Sequence, residues 1–260
     1  MASPKLPRRI TAGPATADGD RNHIHNLILL GLPADELNAV AKKMELVELP
    51  THSVLHEAGE PLEHAFFINS GLASVLNVMS DGKSVEVGLA GKEGFIGLPL
   101  VVGLSTSPTQ VVMQVEGSAY QMTATDFKEV LSHAPALEKS LNRCAQSLGM
   151  QAIHVAACNR LHEVDERLAR WLLMSQDRLG GDLVPLTQEF LAHMLGTRRA
   201  SVTVAAGILQ KAGFITYNRG SVRIDDRSGL EDAACECYAS IKQQTEKWEK
   251  ELSRLGTPPH

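Results

Sequence analysis

Three groups of residues in this chain of 260 are of types that can do chemistry. The first lies between Leu186 and Ile224 and contains Gln188, Arg198, Arg199, Ser201, Thr203 and Arg219. A guanidinium holds paired donors that match O6 and N7 on the major-groove edge of guanine, worth ~1–3 kcal/mol of discrimination. Hydroxyls and amides reach base edges or phosphate oxygens. Residues 182–223 carry five Lys/Arg against two acids, a local +3 in a chain of net charge −5. A basic island in an acidic protein is what attraction to a phosphate backbone needs. The second group is Ser107, Thr109 and Gln110, which follow a glycine-rich stretch. The third is the cysteines at 144, 158, 235 and 237, with His154 and His162 near the second of them.

The elements that must position the first group are legible. Thr187 is a good N-cap, and Phe190, Leu191, Met194 and Leu195 share one side of the short helix it opens. Gly196 turns the chain where only a residue without a Cβ turns freely. A second helix follows, with Val202, Ala205, Ala206 and Leu209 at core spacing and Arg199, Thr203 and Gln210 on the other side. Gly213 stops it. Phe214–Tyr217 and Ser221–Ile224 alternate like strands around Asn218, Arg219 and Gly220, a turn-forming trio. The pattern is a winged helix-turn-helix, a motif whose second helix enters the major groove of DNA.

The stretch resembles the C-terminal domain of the Crp/Fnr family of bacterial transcription regulators, and the order of the chain over about residues 25–240 follows that family. The resemblance implies that Arg199 reads bases, because the family places an arginine at this point of its recognition helix. Many relatives add a glutamate beside it and an arginine a turn later; Ala200 and Val204 stand there instead. Those two can touch only apolar features such as the thymine methyl, so a different operator is expected. Gln188, Arg198 and Arg219 are read as phosphate contacts, with Ser201 and Thr203 reaching bases or phosphates.

From Leu46 to about Ala124 glycines punctuate short strand-like runs: His64–Ile68, Leu72–Met79, Val85–Leu89 and Gln110–Val115. Asp81-Gly82 is a hairpin turn between two of them. The spacing suggests an all-β sandwich or roll, and the stretch resembles the cyclic-nucleotide-binding-type roll of Crp/Fnr proteins. In nucleotide-binding members a glutamate after Phe-Ile-Gly holds the ribose and an arginine some ten residues on neutralises the cyclic phosphate. After Phe95-Ile96-Gly97 this chain has Leu98, and residues 105–110 contain no cation. Without a charge-assisted partner a buried phosphate loses much of its affinity. The expectation is a roll that does not take cAMP. Its candidate effector pocket is Gly97, Leu98, Ser107, Thr109 and Gln110, unless it is merely packed.

From Pro135 a long helix is expected. Leu137, Leu141, Cys144, Leu148, Gln151, Val155 and Cys158 step by four and three along it, a heptad seam read as the contact with a second copy of the chain. The competing reading is a helix packed on its own roll. A further helix over about Val164–Leu179 turns Leu168, Trp171, Leu172 and Met174 inward, and the bend at residues 160–163 is the expected hinge. Leu230, Ala234, Cys237 and Ile241 mark an amphipathic extension after the wing, a departure from many members of the family.

The cysteines are read as inert packing. None precedes Cys144, which argues against the N-terminal iron–sulfur cluster of some Crp/Fnr members. Cys235-Glu236-Cys237 lacks the second half of a zinc knuckle, so one of the pair is expected to pack and the other to face outward. His154, Cys158 and His162 share a stripe, but no metal is expected there. No phosphate-binding loop, dinucleotide fingerprint or nucleophile elbow is present, so an enzyme is not expected. At 43% hydrophobic and 21% charged the composition is that of an ordinary globular protein. No apolar run approaches the ~18 residues that span a bilayer.

The expected fold is α+β. It comprises a tail (1–22), a β-roll (23–134), a dimerisation helix and hinge (135–163), a winged helix-turn-helix (164–227) and a C-terminal helix and tail (228–260). The expected protein is a cytoplasmic homodimeric regulator with no cofactor and no membrane partner. It binds a palindromic site on double-stranded DNA, with RNA polymerase a candidate second partner. The alternative is a ligand- or redox-sensing protein that acts through protein partners.

Overall fold

In a computed structural model, residues 8–9, 23–218 and 220–255 are described. In chain order the first elements are β1 (Arg8–Arg9), α1 (Leu27–Leu30), α2 (Ala34–Ala41), β2 (Glu45–Leu49), β3 (Val54–His56) and β4 (His64–Val78). Next come β5 (Ser84–Ala90), β6 (Phe95–Ile96), a 3-10 turn (Leu98–Val102), β7 (Gln110–Thr123), α3 (Ala124–Leu131) and α4 (Pro135–Leu161). They are followed by α5 (Val164–Leu179), β8 (Leu183–Val184), α6 (Gln188–Met194), α7 (Arg199–Lys211), β9 (Ile215–Asn218), β10 (Ser221–Ile224), α8 (Arg227–Ala233) and α9 (Cys237–Leu255). Internal packing divides the chain into two compact units, one reaching to Leu148 and including Arg178–Gly180, the other taking up at Gly149.

The first unit is an antiparallel roll in the order β1-β2-β7-β4-β5, with β3 paired to β7 and β6 to β4. Strand alternation sends Phe66 and Phe67 to opposite faces. Phe66 joins Val47, Ile68, Val75, Val111 and Met113 in one apolar cluster. Phe67 joins Phe95, Phe127, Leu137 and Leu141 in the other, which fastens α1 to α4 onto the sheet. Asn26 caps α1 by accepting from Ile28 N and Leu29 N, and its Nδ2 donates to Ile68 O and Gly94 O at 2.8 and 2.9 Å. Glu36 accepts from Ala136 N and Leu137 N, which satisfies the start of α4.

Two expected strands, His64–Ile68 and Leu72–Met79, are one 15-residue strand here. The break signal, Gly71, marks a bulge rather than an end: its φ is +85° and the β4–β7 register shifts on both sides of it. Gln110–Val115 likewise continues to Thr123, across Gly117, where the two backbones cross so closely that a Cβ would lie 2.1 Å from Ser70 O. The Asp81-Gly82 turn joins β4 to β5 as read, with Gly82 at φ +81°. Of the expected tail, Arg8 and Arg9 pair with Glu48 and Val47; the rest lies outside the described residues.

The seam on α4 is a correction. Leu137, Leu141, Gln151, Val155 and Cys158 are buried within the single chain, and Cys144 and Leu148 pack on the roll's apolar clusters. Steps of four and three are what any helix needs to bury one stripe, and they do not say what covers it. The face left open is Ala145, Gly149, Ile153, Ala156 and Arg160, with Ile153 72% exposed.

Helix α5 spans Val164–Leu179, and its part in the second unit buries Leu168, Trp171, Leu172 and Met174, as their spacing implies. The extension after the wing is two helices, not one. Cys235 lies in their joint, where Ala234 is extended (φ −77°, ψ 147°). The chain turns directly after Cys235, where Tyr238 N donates to Cys235 O at 3.0 Å, and Cys235 and Cys237 are both buried, against the expectation that one faces outward.

Candidate nucleic-acid interface

Thr187 Oγ1 accepts from Phe190 N at 3.2 Å and starts α6. The turn closes on itself: Gly196 N donates to His193 O, Thr197 N donates to Ala192 O, and Gly196 stands at φ +58°. Arg167, buried on α5, donates from Nη2 to Leu195 O and to Asn159 Oδ1, so a cation meets the C-terminal end of α6. Leu191, Met194, Leu195, Val202, Ala205, Ala206 and Leu209 are buried, and they fix the angle between α6 and α7.

That packing turns the remaining sides of α7 outward. Arg198, Arg199, Ala200, Thr203, Val204, Gly207, Ile208, Gln210 and Lys211 are exposed, and Ser201 is half-buried at the first turn. Arg198 is the N-cap residue and makes no side-chain cap, so the helix start faces outward among cations, an arrangement suited to a phosphate oxygen. Thr203 Oγ1 lies 2.9 Å from Gln188 Oε1 and 3.0 Å from Arg199 O, tying the start of α6 to α7. Gln210 Oε1 accepts from Tyr217 N at 2.9 Å, and Tyr217 Oη donates to Leu186 O at 3.3 Å, which latches the wing beside the helix. Burial holds the Tyr217 hydroxyl above its ordinary pKa.

Among the expected contacts, Gln188, Arg198, Arg199, Ser201 and Thr203 lie together on this surface, while Arg219 falls outside the described residues. Two features are additional to the sequence reading. Ile208, 49% exposed, extends Val204, 64% exposed, into an apolar step along the outer face of α7; its signal is its place off the stripe of Val202, Ala205 and Leu209. Strand β8 pairs with β10 and adds a third strand to the wing, but two residues carry no periodicity.

The expected effector residues are less convergent. Ser107 is buried, and its hydroxyl lies 2.9 Å from Thr109 Oγ1. Gln110 Nε2 donates to Glu57 Oε2 at 2.6 Å. Gly97, at φ +114°, precedes the 3-10 turn, and Leu98 packs on the apolar cluster under the helices. Deeper in the roll, Ser74 Oγ donates to Glu86 Oε2, and Gln114 Nε2 donates to Ser74 Oγ and, at 3.1 Å, to Glu86 Oε2. All three are buried, and none was singled out from the sequence, where Glu86 reads as a surface charge.

A roll followed by a winged helix-turn-helix, with an open cationic helix face, is the build of a DNA-binding regulator. Comparison with known proteins agrees. The model of the cyclic nucleotide-binding domain matches residues 46–134, and that of the Crp-like helix-turn-helix domain matches residues 166–233. A CRP-like cAMP-activated global transcriptional regulator of Mycobacterium tuberculosis is 24% identical over 212 residues, covering 78% of this chain and 94% of that protein. Among solved structures, a transcriptional regulator of the crp/fnr family from Eubacterium rectale has a TM-score of 0.64 at 14% identity and covers 80% of this chain and 98% of its own. FixK2 from Bradyrhizobium japonicum matches with the same TM-score and identity over 74% of this chain and 98% of its own. The chain carries a cyclic nucleotide-binding domain and a Crp-like helix-turn-helix domain and is a DNA-binding transcription regulator of the Crp/Fnr type. No helix among its described residues is long and apolar enough to cross a membrane.

Proposed function

We propose that the protein is a cytoplasmic homodimer that places two copies of α7 in successive major grooves of a palindromic operator, about 34 Å apart. The observation that carries this reading is the outer face of α7: Arg199 and Thr203 offer hydrogen bonds, Ala200, Val204 and Ile208 offer apolar contact, and the core stripe behind them is fully packed. Arg199 reads a guanine, and Val204 and Ile208 meet thymine methyl groups. Arg198, Gln188, Arg219 and Lys211 hold phosphates and set register without reading sequence. Nothing in this arrangement calls for catalysis.

The roll acts as a platform or takes an effector other than a cyclic nucleotide. Leu98 offers no ribose contact, and residues 105–110 offer no cation. Dimerisation uses the open face of α4, Ala145, Gly149, Ile153 and Ala156, where small residues allow two helices to approach closely.

Selection of bound sites from random duplexes tests the reading. The expected result is a two-fold symmetric consensus with half-sites one helical turn apart and with log affinity falling against log salt with a slope of about −5 to −7. Recovery of no preferred duplex at any salt would remove it. Adding cAMP is expected to change neither the consensus nor the affinity.

A further inference from the structure

Four metal-binding side chains from distant parts of the chain meet inside the second unit. Cys158 and His162 stand one turn apart at the end of α4, Cys235 sits in the joint between α8 and α9, and Cys237 opens α9. Their donor atoms all lie within 4.8 Å of one another. Cys158 Sγ is 3.4 Å from Cys235 Sγ, and Cys237 Sγ is 3.7 Å from His162 Nδ1. In a tetrahedral site with metal–sulfur bonds of about 2.3 Å and metal–nitrogen bonds of about 2.0 Å, neighbouring donors are about 3.5–3.8 Å apart. Folding alone therefore brings two of the six donor pairs close to the edge length of a coordination tetrahedron and keeps the others within 4.8 Å. The three cysteines form a buried cluster of their own, and His162 is half-buried beside them. The missing half of the Cys235-Glu236-Cys237 knuckle is supplied by Cys158 and His162, 73 or more residues earlier in the chain.

A second observation concerns charge. Arg167 and Arg170 on α5 are 7% and 3% exposed, and the Nε of each has no hydrogen-bond partner. Their neutral partners are Asn159 Oδ1 and Leu195 O for Arg167, and Met174 Sδ for Arg170. Two buried guanidiniums without a carboxylate need an anion. A divalent ion held by three thiolates and one neutral imidazole carries a net charge of −1 and supplies one.

We propose that Cys158, His162, Cys235 and Cys237 bind a single thiophilic divalent cation of the zinc class, which clamps the C-terminal helices to the end of α4. The three thiol protons leave to solvent as the ion enters, and no oxidant or reductant is required. All four protein ligands are filled, so the site is structural rather than hydrolytic. A polynuclear iron–sulfur cluster spreads its thiolates over several irons, which a donor set within 4.8 Å of itself does not allow. A Cys158–Cys235 disulfide would supply no anion to the two guanidiniums and would leave Cys237 and His162 unused. The ion also bears on the helix-turn-helix, because Arg167 spans from Asn159, next to Cys158, to the last carbonyl of α6.

The experiment uses the full-length untagged chain purified without oxygen, stripped by chelator and titrated with Co²⁺, with zinc as competitor. The expected result is one ion per chain, the intense visible bands of four-coordinate cobalt, and a thiolate-to-metal charge-transfer band that zinc abolishes. Cys144→Ser keeps this spectrum. Cys235→Ser and Cys237→Ser weaken binding tenfold or more and lose charge-transfer intensity. If those variants fail to fold, the wild type still decides: one equivalent of zinc is expected to raise its melting temperature, and chelator to lower it. A folded wild type that takes up no cobalt, contains a Cys158–Cys235 disulfide after anaerobic purification, or releases acid-labile sulfide would overturn the assignment. None of these readouts involves DNA, so the site and the operator reading can fail separately.

Discussion

Arg199 is exposed at the first turn of α7, behind it Val202 and Ala206 are buried, and its carbonyl accepts from Thr203. A residue so placed can lose its side chain without disturbing the packing. Arg199→Ala should therefore leave the melting temperature unchanged while costing about 1–3 kcal/mol of operator affinity. The loss should be concentrated at one base pair of each half-site, which then tolerates any base. Lys211→Ala, by contrast, should weaken all duplexes alike and reduce the salt slope by about 1 per chain. Competition binding with a panel of single-base operator variants separates the two patterns. Uniform weakening by Arg199→Ala would reduce that residue to a phosphate contact.

Residues of this kind were legible because a helix exposes whatever its core stripe leaves over, and the stripe could be counted. The metal ligands were not legible for a related reason. Cys158 and His162 share a helical stripe with His154, but Cys158 also falls on the seam read as meeting a second copy, and Cys235-Glu236-Cys237 shows in its own spacing only half a knuckle. Sequence spacing reports neighbours along one element. It is silent about donors brought together across 77 positions, as Cys158 and Cys235 are.

At the scale of elements, glycine carried two meanings that the sequence does not separate. Gly82 and Gly196 end an element and turn the chain, whereas Gly71 and Gly117 sit inside strands that cross at close range. The crossing predicts a sharp asymmetry. Gly149→Ala meets nothing within 4 Å and should be stabilising or neutral for an isolated chain. Gly117→Ala would place a methyl against Ser70 O and the backbone of Gly71, and it should cost about 3 kcal/mol. Urea midpoints of the two variants check this.

Strand β3 adds a pH response. Burial holds His56 below its ordinary pKa of 6.5, with Glu57 and backbone hydrogen bonds opposing, and its Nδ1 has no partner. The unfolded chain therefore binds a proton at higher pH than the folded one, and the folded state favours neutral imidazole. His56 contributes stability that is full above about pH 6.5 and is lost as pH falls through its lowered folded value. The urea midpoint should thus fall between pH 7.5 and 5.5 by more in the wild type than in His56→Gln.

At the scale of the whole molecule, the proposed homodimer requires one face of α4 to meet the second copy. The heptad stripe cannot, because Leu137, Leu141, Val155 and Cys158 are already buried within one chain. What remains is the opposite side, where Ala145, Gly149 and Ala156 leave room and Ile153 stands 72% exposed. An isolated isoleucine on a helix surface needs no explanation by itself. Flanked by small residues at intervals of four and three, in a chain whose family and motif call for two-fold symmetry, it is the centre expected of an isologous helix pair. Ile153→Glu should then give a folded monomer, because it would bring two carboxylates together at the dyad. Equilibrium sedimentation at micromolar concentration reads the change directly. Operator affinity should collapse in the same variant while binding to a single half-site survives, since each α7 is built wholly within its own chain. A dimer that persists in Ile153→Glu would place the interface elsewhere and leave the exposed stripe of α4 to solvent.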